Sequence, residues 1–81
     1  MYIVYGKPNC PFCDKAKAVL TTKGLEFEYK TLDEDYSRDD LLDICRPFRV
    51  IPRTMPQIIE TTEDGSQRYI GGYDQLAEEL N

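Results

Sequence analysis

The chain alternates between short strand-like runs and longer amphipathic stretches. Residues 2–5, Tyr-Ile-Val-Tyr, are β-branched and aromatic with no polar alternation, the pattern of a strand buried on both faces. Gly6 and Pro8 end it. Over residues 11–23 the period becomes helical. Ala16, Val19 and Leu20 share one face, Pro11 sits at an early position where its missing N–H costs nothing, and Gly24 closes the segment. Residues 26–32, Glu-Phe-Glu-Tyr-Lys-Thr-Leu, alternate and predict a second strand. A strand–helix–strand unit of this length implies parallel pairing through a right-handed crossover. Ser37 is expected to cap a helix that runs to about Cys45, carries Leu41, Leu42, Ile44 and Cys45, and is stopped by Pro47. Residues 57–60 and 67–70 predict a hairpin around Asp64-Gly65-Ser66, ended by Gly71-Gly72. Asp74 can cap a last helix, 75–80, with Leu76, Ala77 and Leu80 facing inward. The order β-α-β-α-β-β-α predicts an α/β fold, a four-stranded mixed sheet covered by helices with the second strand at one edge.

Composition limits what these elements can be. The chain has 81 residues, 41% hydrophobic and 11% aromatic, with no Trp. That suffices for one compact core and is too apolar for disorder, so residues 1–81 are expected to form a single, monomeric domain. No apolar run approaches the roughly 20 residues of a membrane span. Met1-Tyr2-Ile3-Val4-Tyr5-Gly6 lacks the basic start and long apolar stretch of a signal peptide. Three cysteines, an odd number, argue against a framework of structural disulfides. A reducing cytoplasm is the expected location. The net charge of −5 disfavours nucleic acid and anionic membranes as partners. It is unevenly spread: residues 33–43 hold six acids against Arg38, whereas residues 46–53 hold Arg46, Arg49 and Arg53 and no acid.

The candidate chemistry lies between the first strand and the first helix, at Cys10-Pro11-Phe12-Cys13. Two thiols at this spacing can bond to each other with little backbone movement, and a strand, turn and helix opening on C-x-x-C is a thioredoxin-like redox signal. Cys10 is the candidate nucleophile. It sits where the helix begins, so free N–H groups and the helix dipole favour its thiolate, and Lys7 adds positive charge. An ordinary thiol with pKa about 8.5 is only about 3% ionised at pH 7, which is why such activation matters. Cys13 lies one turn deeper and is the candidate resolving thiol. Half of a structural zinc site is the competing reading; it needs four ligands, and the chain offers three Cys and no His. Cys45, among apolar neighbours, reads as a buried small hydrophobe or as a regulatory thiol. From sequence alone the bond before Pro56 is expected to be trans, as about 95% of X–Pro bonds are.

Lys7-x-x-Cys10-Pro11-Phe12-Cys13, Thr54-Met55-Pro56-Gln57 and Gly71-Gly72-Tyr73-Asp74 closely resemble the three motifs of the dithiol glutaredoxins, in the right order and at about the right separations. The match spans essentially the whole chain and looks most like the small bacterial and phage members. The resemblance implies a thioredoxin-like fold with a cis Pro56 beside the dithiol, and Met55 backbone that pairs with an incoming peptide. It also implies glutathione as the reducing co-substrate, with no metal and no bound cofactor. The implied glutathione-binding residues are Lys7, Phe12, Arg53, Thr54, Met55, Pro56, Gly72, Tyr73, Asp74 and Gln75, with Arg49 the other arginine considered beside Lys7. Gly72 and Tyr73 would offer N–H groups to the γ-glutamyl carboxylate; Asp74 would either meet the γ-glutamyl amine or cap the last helix.

The implied activity is glutathione-dependent reduction of protein disulfides and glutathione mixed disulfides, with ribonucleotide reductase a suggested partner. The alternative within redox chemistry is a thioredoxin-like donor fed by a flavin-dependent reductase. The alternative outside it is a module that holds an iron–sulfur cluster, a property of members with Gly where this chain has Pro11. Two departures from the family pattern stand out. Phe12 replaces a frequent Tyr, and the acid after Gly-Gly-x is displaced by one position, Asp74 being followed by Gln75.

Overall fold

Central strand β1, Tyr2–Gly6, carries the architecture. In a computed structural model describing residues 1–81, it pairs parallel with β2 (Phe27–Thr31) and antiparallel with β3 (Gln57–Thr61), and β3 pairs antiparallel with β4 (Gln67–Gly71). The sheet order is β2-β1-β3-β4, which puts β2 at an edge as expected. Three helices follow the predicted order: α1 (Pro11–Thr22), α2 (Arg38–Cys45) and α3 (Tyr73–Leu80). A short 3-10 turn, Arg46–Phe48, continues α2 past its end. No helix is long and apolar enough to cross a membrane.

The sheet is buried on both faces because side chains of β1 alternate. Tyr2 and Val4 meet Ala16, Leu20, Ile58, Ile70 and Leu76 on the side of α1 and α3. Tyr5 meets Tyr36, Leu41, Cys45 and Ile59 on the side of α2. Val4, Ala16, Leu20, Ile58 and Leu76 are fully shielded, each contributing on the order of 1.5–3 kcal/mol for the larger side chains. Arg68 of β4 pairs with Glu60 of β3 at 2.6 Å and with Glu79 of α3, fastening the last helix to the hairpin.

Boundaries differ from expectation mainly at α3. It begins at Tyr73, two residues early, and Gly72 is its cap residue. Gln75 Oε1 accepts from Gly72 N–H at 2.9 Å, because a Gln at the third helical position can reach back to the cap. Asp74 therefore lies inside the first turn and does not cap the helix. Gly71, at φ +119, is required just ahead: the backbone turns there, and a Cβ would come within 3.1 Å of the Gln75 side chain. Of the inward-facing trio, Leu76 is buried while Ala77 and Leu80 are half-buried. The Ser37 cap is as expected and is reciprocal: Asp40 N–H donates to Ser37 Oγ at 3.1 Å, and Ser37 N–H to Asp40 Oδ2 at 2.9 Å.

Candidate active site

The turn from β1 into α1 places the two thiols. Asn9 takes the left-handed region at φ 56, which Asn tolerates better than most residues, and Cys10 is extended as the cap of α1. Asp14 N–H donates to Cys10 O at 3.1 Å, starting the helix, and Cys13 N–H donates to Cys10 Sγ at 3.2 Å. Cys10 and Cys13 are joined as a disulfide with their Cα atoms 5.2 Å apart. Cys13 is completely buried and Cys10 is 6% exposed, so only Cys10 opens toward solvent.

Cys10 Sγ lies 3.9 Å from Met55 O. The Met55–Pro56 peptide bond is cis, as the family resemblance implied and against the expectation from sequence alone. Two hydrogen-bonded ties hold this loop. Tyr69 Oη donates to Gln57 Oε1 at 2.6 Å, and Gln57 Nε2 donates to Thr54 O at 2.8 Å, linking β4 through β3 to the residues before Pro56. Tyr36 Oη lies 2.6 Å from Gly6 O and 3.7 Å from Met55 Sδ, joining the end of β1 to the same loop. Burial, with Tyr29, Tyr5 and Asp33 nearby, pushes the Tyr36 phenol up to about 12, so its proton stays available to the Gly6 carbonyl.

A cleft of about 310 Å³ opens between these elements, lined by Phe12, Thr54, Met55, Pro56, Gly72, Tyr73, Asp74 and Gln75. All eight are among the residues expected at the site. Phe12, half exposed, lies 6.2 Å from the Tyr73 ring, and Lys15 Nζ sits 5.2 Å above Phe12. The first amides of α3 have no acceptor within the helix. Gln75 takes the one on Gly72, so Gly72 does not present the free N–H expected of it, and open donors begin at Tyr73.

Lys7 and Arg53 do not line this cleft. They meet in an adjoining hollow of about 70 Å³ that shares Thr54 and Met55 with it. Arg38 lines the same hollow and was missed, because a single Arg inside an acidic run reads as surface. Arg49 points elsewhere, into a third hollow beside Arg46. Cys45 is far from the dithiol in packing terms, buried on the α2 side of the sheet, where burial pushes its thiol up.

The family model for glutaredoxin matches residues 2–61. The glutaredoxin of Enterobacteria phage T4 is 38% identical, over 96% of this chain and 97% of its own length. This chain belongs to the glutaredoxin family. Reduced Escherichia coli glutaredoxin superposes with a TM-score of 0.72 at 26% identity, covering 98% of this chain and 91% of that one. A buckwheat glutaredoxin solved as its glutathione complex shares the fold, with a TM-score of 0.70 at 23% identity over 98% of this chain and 66% of that one. This glutaredoxin is thus a thioredoxin-fold disulfide oxidoreductase, and its Cys10–Cys13 pair is the redox-active element.

Proposed function

We propose that the chain is a glutathione-dependent reductase of disulfides, with Cys10 as nucleophile and Cys13 as resolving thiol. The observation that carries the reading is the asymmetry of the pair: Cys10 caps the helix with its Sγ 3.9 Å from Met55 O and keeps a little exposure, while Cys13 is completely buried. The Cys10 thiolate attacks one sulfur of a substrate disulfide and expels the other as a thiolate, which takes up a proton. The Cys13 thiolate then attacks Cys10 Sγ and releases the second substrate thiol, leaving the Cys10–Cys13 disulfide. Two glutathione molecules reduce that disulfide and leave as glutathione disulfide.

Glutathione carries two carboxylates and one amine, and the surroundings of Met55 offer a matching set. Lys7, Arg53 and Arg38 lie on one side for the glycyl carboxylate, and the Tyr73 and Asp74 amides on the other for the γ-glutamyl carboxylate. Because Gln75 does the capping, the Asp74 carboxylate is left for the γ-glutamyl amine. Phe12 supplies an apolar wall in place of the hydroxylated ring common in the family. A reducing, cytoplasm-like compartment suits this chemistry, and protein disulfides, including that of a ribonucleotide reductase, are the proposed larger substrates.

The test is to oxidise the protein and follow its reduction by glutathione with glutathione reductase, and separately by thioredoxin reductase. Rapid reduction by the first system alone is expected. Rapid reduction by the second alone identifies a thioredoxin-like donor and overturns the glutathione reading.

A further inference from the structure

Beyond the cleft, the segment after α2 forms a surface with no role in the chemistry described. Leu42, Arg46, Arg49, Val50 and Ile51 line an open hollow of about 370 Å³ with no carboxylate in its wall. Ile51 is 67% exposed, the most open large apolar side chain of the chain, and Leu42 is 37% exposed. Arg49 is held at φ 59 by its N–H bond to Arg46 O at 2.9 Å, and it makes no ion pair. Arg46 meets only Asp43, an exposed pair of the kind worth little. On a chain of net charge −5, this is an apolar depression rimmed by cations.

Its place relative to the dithiol gives it meaning. Ile51 and Met55 are four steps apart along the chain, so their Cα atoms are at most about 14 Å apart. Met55 O in turn lies 3.9 Å from Cys10 Sγ. A substrate chain attacked at Cys10 and running extended covers that distance in at most about five or six residues. Lys7, Arg38 and Arg53 line the hollow that contains Met55 and add positive charge there.

We propose that the Arg46–Ile51 hollow docks an acidic, apolar-tipped segment of a protein substrate, about four to six residues from its reactive cysteine. The inference rests on the reading that protein disulfides are substrates. Charge complementarity selects the occupant: an anionic segment is drawn to Arg46 and Arg49, and its apolar side chain covers Ile51 and Leu42. An anionic membrane is a poorer match, since the chain as a whole is repelled by one.

The test is a single-turnover reduction by pre-reduced protein, which needs no glutathione and so stands apart from the recycling question. Two peptides carry the same disulfide loop with a four-residue spacer on each side, then a flank of Glu-Leu-Glu in one and Lys-Leu-Lys in the other. Each turnover makes two peptide thiols and one Cys10–Cys13 disulfide, two electrons and two protons moving together. The wild-type protein is expected to reduce the acidic peptide about tenfold faster at low salt, with the gap closing near about 0.5 M salt. Arg49→Glu is expected to abolish that preference, and Ile51→Ser to slow the acidic peptide about threefold. Both variants should reduce a small uncharged disulfide within about twofold of wild type, which shows that they fold. Equal rates for the two wild-type peptides overturn the proposal, as does a preference that survives in Arg49→Glu. A wild-type dimer that Arg49→Glu dissolves also overturns it, by making a second copy the occupant.

Discussion

The first turns of the three helices are finished in different ways. At α2 the cap is reciprocal: Ser37 and Asp40 satisfy each other's backbone donors, and both side chains are taken up in doing so. At α1 the cap atom is the sulfur of Cys10, so the group that satisfies the Cys13 amide is itself reactive. At α3 the cap is partial: Gln75 ties down Gly72 and leaves the next amides facing the cleft. On the proposed reading, the same orphan donors serve stability at one helix, nucleophile activation at another and anion recognition at the third. What differs is only the residue placed at the cap and three positions on.

Substitutions at these caps break or sharpen that contrast. The largest effect is expected from Cys10→Ser, which removes the reactive cap and should lower disulfide turnover by more than about a thousandfold while the fold persists. Steady-state rates beside circular dichroism check both halves. At α3 the two neighbours should part company. Asp74→Asn is expected to raise the KM for glutathione about three- to fivefold with unchanged melting, the size of one exposed charge pair. Gln75→Ala should instead cost about 0.5–1 kcal/mol of stability with little change in KM. If the two variants exchange these effects, the division of labour between Asp74 and Gln75 is wrong. The smallest functional effect belongs to Ser37→Ala, expected to cost about 1 kcal/mol in denaturant unfolding and to leave kcat/KM unchanged.

Much of this was legible in the sequence because its signals are local. Tyr-Ile-Val-Tyr has the pattern of a strand buried on both faces, Ser37 is a cap residue just ahead of a helical pattern, and C-x-x-C marks the dithiol. The α3 boundary was misplaced because Asp and Gln are both credible capping partners and only the backbone turn at Gly71 decides between them. The basic site residues were harder still. Arg38, Arg49 and Arg53 look alike along the chain, and which of them shares a hollow with Lys7 depends on how α2 and the loop after it pack across the sheet. The ties that steady Met55, through Tyr36 and through Tyr69 and Gln57, span 12 to 30 residues and have no sequence signature.

The central claim is that the two thiols are unequal, one reactive at a helix cap and one sealed beneath it. Cys13→Ser tests it most directly, assayed in parallel on a glutathione mixed disulfide and on a protein disulfide. The first activity should be retained and the second lost, because only the second needs a resolving thiol. Equal loss of both activities would contradict it.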